Sequence, residues 1–278
     1  MKHEELITGL KQLHLGQIAR DYVEISKISE KEKRTYEQYL AKLVEIELME
    51  KHRQRVDRLV KQAQIPIKKT FEAYNFDVRE GITAKEFNRL ATGDFLKGAG
   101  NLVFYGDHGV GKSHLASVLT EKLCALGFKC LFCSTHQLIS QLQLAKHDLS
   151  LVSLMKRLDK YDLVAADELG YVPHDQEGAD LFFQLISQRS ERKSLLITTN
   201  LTYSEWGEVF GNLRTTKAAV DRVIYNCETF NIKGPSWRER TAAKRLAKGA
   251  RQKSWQTRCA GSGSRPADGG RVMRLWPA

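Results

Sequence analysis

The sequence of 278 residues predicts an α/β fold, in which helices flank a parallel five-stranded sheet and a small all-helical domain precedes it. Two observations predict the sheet: short apolar segments alternate with helical stretches, and a glycine-rich loop joins the first of these segments to the helix after it. A third observation predicts the all-helical domain, because neither glycine nor proline interrupts the chain between Gly16 and Pro66.

Helical spacing of apolar residues assigns residues 1–64 to this N-terminal domain. One predicted helical face carries Tyr36, Tyr39, Leu40, Leu43 and Val44. Further along, Lys51, Arg55 and Arg58 share a face that we name the basic stripe, with Arg53 and Lys61 beside it. The basic stripe suits binding along a nucleic-acid phosphate backbone, and it suits a solvated outer face equally well.

Pro66 is expected to end the helical domain, because its ring removes a backbone donor and disfavours helix at the residue before it. Residues 65–78 are expected to form a linker with the aromatic anchors Phe71, Tyr74 and Phe76. Residues 79–248 then form the α/β domain, with strands predicted at 101–105, 129–134, 163–167, 194–199 and 228–232. A helix is predicted over 112–126, with a buried stripe of Leu115, Leu119, Leu123 and Leu126.

Residues 106–113 match the P-loop pattern G-x-x-x-x-G-K-[ST] in full and stand between a predicted strand and a predicted helix. Glycines let successive backbone N–H groups converge on phosphate oxygens, and the start of the helix adds its positive dipole end. The lysine supplies charge to the β and γ phosphates, while the serine hydroxyl binds Mg²⁺. The predicted ATP-binding residues are Gly106, Asp107, His108, Gly109, Val110, Gly111, Lys112, Ser113 and His114.

The segment 163–168 is an apolar strand that ends in two acids, Asp167 and Glu168. A buried parallel strand delivers such carboxylates to the sheet edge at which ligands bind. In this arrangement Asp167 helps Ser113 hold Mg²⁺, and Glu168 orients and deprotonates the attacking water. The segment is interpreted as a Walker B motif.

Two further side chains are candidates for the catalytic site that Lys112 and the acid pair define. Asn200 follows the predicted strand 194–199, where its amide could bind both the γ phosphate and the water, although asparagine is also a common turn residue. Arg222 could stabilise the transferred phosphoryl group across a subunit interface, or could pair with Asp221 on a helix surface. Arg238 is a weaker candidate for contact with the γ phosphate.

The formal net charge of +11 lies mostly at the two ends of the chain. Residues 1–70 hold 15 basic and 11 acidic residues, and residues 236–278 hold 11 and 2, which leaves the centre near neutral. This suits a nucleotide-binding core with appendages that bind a polyanion, or a solvated tail without a partner. Residues 249–278 have no hydrophobic periodicity and are expected to form a disordered basic tail.

The remaining composition favours a cytoplasmic protein. No apolar run approaches the roughly 18–20 residues of a membrane span, and the start of the chain lacks the pattern of a signal peptide. Five scattered cysteines include a C-x-x-C pair, Cys130 and Cys133, without a second pair. The pair falls on a predicted strand, so these thiols are interpreted as packing groups.

Together these residues resemble the IstB family of helper ATPases of insertion sequences, relatives of the helicase loader DnaC in the AAA+ class. The resemblance covers roughly residues 1–248 and is carried most specifically by segments 101–116, 167–173, 177–187, 204–210 and 231–238. It implies an ATPase that oligomerises on double-stranded DNA and recruits and stimulates a transposase. It also implies that Asn200 acts as sensor 1 and Arg222 as the arginine finger.

The sequence departs from the family pattern inside the P-loop. Family members usually carry proline within the loop and threonine after the lysine, where this chain has Asp107, His108 and Ser113. Serine keeps the hydroxyl that binds Mg²⁺, while Asp107 adds a negative charge near phosphate. The tail beyond about residue 248 has no counterpart in the resemblance.

Three other functions remain open from the sequence. A DnaC-like loader of a replicative helicase would share the ATP site and differ only in its partner. A DNA-binding scaffold would use ATP to hold an interface, so that turnover is incidental. A small-molecule kinase would need a mobile basic lid, and the sequence offers no candidate between Lys112 and Asn200.

Overall fold

The structure is a computed structural model, and it describes residues 2–66, 69–171, 175–211 and 213–237. Contacts within the chain divide it into one unit, Met1–Gly234, and a second, Pro235–Ala278. Of the second unit the description covers residues 235–237, where the Trp237 side chain is exposed. The predicted tail 249–278 and Arg238 lie outside the described residues.

Five parallel strands form the sheet, in the order β2-β3-β4-β1-β5. Their bounds are β1 Asn101–Tyr105, β2 Cys130–Ser134, β3 Leu163–Leu169, β4 Ser194–Thr199 and β5 Cys227–Asn231. The predicted parallel five-stranded sheet is confirmed, with strand ends that differ from the predicted ones by at most two residues. Because β4 separates β1 from β3, the P-loop strand and the strand of the two acids are not neighbours.

Helices cover both faces of this sheet, and five of them precede its first strand. The helices are α1 His3–Gln12, α2 Gly16–Lys31, α3 Tyr36–Gln62, α4 Ala84–Leu90, α5 Asp94–Lys97, α6 Lys112–Ala125, α7 Thr135–His147, α8 Leu151–Leu158, α9 Gln176–Arg189, α10 Gly207–Phe210 and α11 Leu213–Ile224. A 3₁₀ turn spans Tyr203–Trp206. None of the helices in the described ranges is long and apolar enough to cross a membrane.

The long helix α3 organises the N-terminal region. Its start is capped by Thr35, whose hydroxyl accepts the N–H of Gln38 at 3.3 Å while the Gln38 side chain accepts the N–H of Thr35 at 3.0 Å. Halfway along it, the buried carboxylate of Glu47 accepts the N–H groups of Gln17 at 2.8 Å and Ile18 at 3.0 Å. These two N–H groups are at the start of α2, so Glu47 caps α2 and fixes it against α3.

The apolar face predicted on α3 is only partly buried. Leu43 packs into the core at 6% exposure, whereas Tyr36 is 95% exposed and Leu40 is 60% exposed. The buried side of α3 follows Leu43 and Glu47 toward α2. Tyr39 is partly buried, and its hydroxyl donates to the backbone oxygen of Tyr22 at 3.4 Å, while Val44 is 45% exposed.

The end of α3 packs directly on the sheet. Leu59 and Ala63 belong to the same buried cluster as the residues of β1 and α6. The backbone oxygen of Ala63 accepts the N–H of Phe132 at 2.8 Å, which covers part of the free edge of β2.

Residues 70–81, which we name the strap, lie against the core through their aromatic side chains. The Tyr74 ring lies 4.6 Å from that of Phe76, and the Phe71 ring lies 5.2 Å from it. At the end of the strap, Glu80 and Lys233 exchange two backbone hydrogen bonds of 3.1 Å. The expected domain boundaries (1–64, 65–78, 79–248 and 249–278) stay predictions.

Helix α6 carries the predicted buried stripe with one exception. Leu115, Leu119 and Leu123 are at most 1% exposed, which confirms their predicted burial, but Leu126 is 55% exposed, so its predicted burial is wrong. The helix ends at Ala125, so Leu126 is its C-cap, and the chain then turns at Gly127, which has a φ of +93°.

The two cysteines of the C-x-x-C motif are buried in β2. Cys130 and Cys133 are free thiols, and burial raises the pKa of Cys133 to about 12. A thiol with such a pKa carries almost no thiolate at neutral pH and is a poor nucleophile or metal ligand.

Candidate active site

The P-loop spans the turn between β1 and α6, and its glycines are required by its backbone. Gly106, Gly109 and Gly111 have φ values of +145°, +78° and +102°. A Cβ at Gly106 would lie 2.1 Å from the backbone oxygen of Ile232, and one at Gly111 would lie 2.7 Å from the Tyr74 ring. Both close approaches exclude any side chain, so the loop keeps this conformation only with glycine.

The loop leads into the start of α6, where Gly111 is the N-cap. The first backbone N–H groups of a helix have no acceptor within the helix, and they carry the positive end of its dipole. The ammonium of Lys112 donates to the backbone oxygens of Gly106 at 2.7 Å and Asp107 at 2.8 Å, so it lies across the loop. The half-buried Ser113 follows on the first turn. This arrangement suits a phosphate group.

The other predicted loop residues face different surroundings. Asp107 and His108 are exposed, and the His108 ring lies 5.6 Å from that of Tyr171. Val110 is fully buried. His114 faces the strap, where its Nε2 lies 2.8 Å from the backbone oxygen of Thr70, and burial lowers its pKa.

The two acids lie at an irregularity of β3. Pairing with β4 shifts between Ala166 and Leu169, so β3 holds one residue more than its partner there. Glu168 has a φ of +62°, which is uncommon for a residue other than glycine. Asp167 is half-buried and Glu168 is exposed.

Thr198 on β4 holds both acids, and the sequence analysis assigned it no role. Its hydroxyl donates to the carboxylate of Asp167 and accepts the backbone N–H of Glu168 at 2.9 Å. Thr198 is fully buried, so these two bonds satisfy a hydroxyl that water cannot reach. In the sequence, the polar end of the otherwise apolar strand 194–199 was the feature that pointed to this residue.

The end of β4 also joins the acids to the P-loop. The backbone oxygen of Thr199 accepts the N–H of Gly106 at 3.3 Å, and its hydroxyl donates to the backbone oxygen of Leu169 at 2.9 Å. Asn200 is the next residue and is half-buried. The P-loop, the acid pair and Asn200 therefore lie at the carboxyl edge of three adjacent strands.

Arg222 is on α11 and not on the three strands that carry this group. Its guanidinium donates to the backbone oxygen of Ala218 at 3.0 Å and lies 5.2 Å from the centroid of the Phe183 ring. The ion pairs seen within the described ranges do not include one with Asp221.

The donors at this edge suit a magnesium nucleotide. The Ser113 hydroxyl and the Asp167 carboxylate are hard oxygen donors of the kind that Mg²⁺ prefers. The loop amides and Lys112 match the charge of a triphosphate, and the exposed carboxylate of Glu168 can accept a proton from water.

A sheet of this strand order, with a P-loop after β1 and two acids on β3, defines a P-loop protein of the AAA+ class. The structure resembles that of AMPPCP-bound DnaA from Aquifex aeolicus, with a TM-score of 0.51, 14% identity, and coverage of 66% of this chain and 56% of that one. The chain belongs to the family described as IstB-like ATP binding protein, whose sequence model matches residues 8–245.

Relatives of this family cover most of the chain. An insertion sequence ATP-binding protein of Sinorhizobium fredii is 35% identical over 235 residues, which are 84% of this chain and 78% of the relative. The IS21 ATP-binding protein of Pseudomonas aeruginosa is 33% identical over 235 residues, 84% of this chain and 88% of the relative. The family resemblance stated from the sequence is confirmed.

Proposed function

We propose that the protein is the ATP-dependent helper of an insertion-sequence transposition system. It binds ATP with Mg²⁺, oligomerises on double-stranded target DNA, and recruits and stimulates the transposase of its element. Hydrolysis of ATP is the switch that resets the assembly. The protein acts in the cytoplasm, where its target DNA is.

One observation carries the enzymatic part of this proposal. The P-loop and the two acids meet at one sheet edge, where the Thr198 hydroxyl contacts both acids and the backbone oxygen of Thr199 accepts the N–H of Gly106. Membership in a family of insertion sequence ATP-binding proteins supports the biological role.

Each residue of the site has a defined task in ATP hydrolysis. Loop amides and Lys112 bind the phosphates, and Ser113 with Asp167 would hold Mg²⁺, which neutralises developing charge on the phosphates. Glu168 orients water and takes its proton. Asn200, at the end of β4, would bind the γ phosphate and the water.

Arg222 completes this site only if a second subunit supplies it. In its own chain its guanidinium contacts the Phe183 ring and the backbone oxygen of Ala218, which leaves the role at the phosphate to an arginine from another subunit. An arginine provided in this way stabilises charge on the transferred phosphoryl group and makes hydrolysis depend on assembly.

The decisive experiment measures ATP binding and hydrolysis by the full chain, with and without duplex DNA. We expect Mg²⁺-dependent binding that Lys112→Ala abolishes, and turnover that duplex DNA stimulates. Glu168→Gln should retain binding while turnover falls by about 10²–10⁴-fold. Lys97→Ala is the matched control, since Lys97 is an exposed lysine paired with Asp94 at 2.7 Å.

A second experiment identifies the partner. The full chain with ATP and duplex DNA is expected to retain the transposase encoded beside it, and Glu168→Gln is expected to retain it for longer. Retention of a replicative helicase in place of the transposase would contradict the proposed role in transposition. It would not contradict the proposed ATP site.

A further inference from the structure

A buried arginine of the strap holds one peptide group of the P-loop. Arg79 is 8% exposed, and its Nε–H donates to the backbone oxygen of Val110. Its Nη1 donates to the backbone oxygen of Asn75 at 3.2 Å, and its guanidinium carbon lies 4.7 Å from the centroid of the Tyr74 ring. The strap therefore fixes the orientation of the guanidinium.

The peptide group held by Arg79 joins Val110 to Gly111. It is trans, so its oxygen and its N–H point in opposite directions. Because the oxygen is bonded to Arg79 on the side of the strap, the N–H of Gly111 points away from the strap. Gly111 is the N-cap of α6, and its N–H belongs to the group of amides that a P-loop presents to phosphate.

The Tyr74 ring also restricts the orientation of this peptide group, from another side. An added Cβ at Gly111 would lie 2.7 Å from the Tyr74 ring, so the ring already touches the backbone there. Tyr74 is itself 5% exposed and packs against His114, with ring centroids 5.5 Å apart. The loop cannot rotate this peptide toward the strap without displacing a buried ring.

We propose that Arg79 is a positioning residue for nucleotide binding, which orients the Val110–Gly111 peptide so that the N–H of Gly111 faces the β phosphate. The inference rests on the proposed nucleotide site and adds to it a residue that lies outside the P-loop motif. A peptide turned the other way would present a carbonyl oxygen to phosphate and repel it. Orienting the peptide before binding removes that cost from the binding step.

The test compares the affinities of ADP and inorganic pyrophosphate, each measured by competition against a fluorescent ATP analogue. Pyrophosphate contacts only the phosphate-binding groups, so it reports on the loop without any contribution from the base. Arg79→Ala is expected to weaken both ligands about tenfold, as for the loss of one hydrogen bond to a charged group. Arg79→Lys, which keeps a charged donor, should stay within about threefold of the wild type, and turnover at saturating ATP should be largely retained.

The matched control is Arg189→Ala. Arg189 is 1% exposed and also donates to backbone oxygens, those of Leu158 at 2.8 Å and Ser194 at 2.9 Å, but none of these is in the P-loop. It should lower the thermal midpoint at least as much as Arg79→Ala and leave both affinities unchanged. If Arg79→Ala does not fold, Arg79→Gln replaces it, with an expected loss of at least about threefold for both ligands.

Three results would overturn the role of Arg79. One is a pyrophosphate affinity that Arg79→Ala and Arg79→Gln leave unchanged, and another is an equal loss in Arg189→Ala. The third is loss of binding in Lys112→Ala while Arg79→Ala binds as wild type. That result would support the proposed nucleotide site and contradict the role of Arg79. A wild-type chain that binds neither ligand would overturn the proposed site together with this inference.

Discussion

The Thr198 hydroxyl donates its hydrogen to the carboxylate of Asp167 on the neighbouring strand. The same oxygen accepts the backbone N–H of Glu168, so a single buried side chain orients both acids of the site. A carboxylate that binds Mg²⁺ through a specific oxygen needs such a second partner to set its orientation.

Thr198→Val tests this arrangement with little change in side-chain volume. We expect turnover to fall about tenfold, because Asp167 loses a donor and the N–H of Glu168 loses its acceptor. Steady-state ATPase assays over a range of ATP concentrations should place the loss in kcat with little change in KM. Thr198→Ser keeps the hydroxyl and serves as the control, and a Thr198→Val variant as active as wild type would contradict the arrangement.

The basic stripe of α3 can be tested through the salt dependence of DNA binding. Lys51, Arg55 and Arg58 are all exposed, as the sequence analysis expected for either of its two interpretations. If they contact phosphates, replacing Lys51 and Arg58 by alanine should weaken duplex binding. The slope of log K against log salt should become shallower by about 0.9 per lost contact.

Arg53→Ala is the control for the stripe. Arg53 is exposed and pairs closely with Glu50 at 2.8 Å and Asp57 at 3.3 Å, whereas the ion pair of Lys51 with Glu47 is longer, at 3.8 Å. Removal of Arg53 should change the salt slope little. Equal slopes for the stripe variant and for wild type would instead identify the stripe as a solvated face.

Glu47 offers a test of how the N-terminal helices are held together. Glu47→Ala removes a buried carboxylate that accepts the N–H groups of Gln17 and Ile18, so we expect a loss of about 1–2 kcal/mol in the free energy of unfolding. Urea unfolding followed by circular dichroism measures it. Glu45→Ala removes the same kind of side chain, but Glu45 is exposed and its ion pair with Lys42 lies on the surface, so this variant should unfold like wild type.

His114 predicts a dependence of stability on pH. Burial lowers its pKa in the folded chain, so between the folded pKa and the ordinary value near 6.5 the unfolded chain binds the extra proton. Stability should therefore fall as the pH drops below about 6.5, and His114 should contribute no dependence above that value. Thermal midpoints from pH 5 to 8 should vary less in His114→Gln than in wild type, and an NMR titration should place the His114 midpoint below 6.5.

The sequence predicted the sheet and the P-loop well because both depend on local patterns. A run of apolar residues marks each buried strand, and G-x-x-x-x-G-K-[ST] specifies a loop whose glycines the backbone requires at Gly106 and Gly111. The start of α3 after Thr35 was not predicted, because no glycine or proline marks it. The hydrogen bonds between Thr35 and Gln38 cap the helix there.

Contacts between distant parts of the chain were beyond the sequence. Leu126 and Leu40 fit a helical stripe, yet both are more than half exposed because the neighbouring elements pack elsewhere. Arg79 directly follows the segment interpreted as a linker, and its bond to Val110 crosses 31 positions of the chain. The polar end of β4 pointed to Thr198, but its contact with Asp167 depends on the register of β3 against β4.

The extra residue in β3 makes the spacing of the acids as important as their charge. Side chains along a regular strand alternate between the two faces of the sheet, so two consecutive acids would be directed to opposite sides. The left-handed backbone of Glu168 interrupts that alternation. Inserting one residue between Asp167 and Glu168 would change the register of β3 against β4 and separate the carboxylates, although every charged group of the site would still be present.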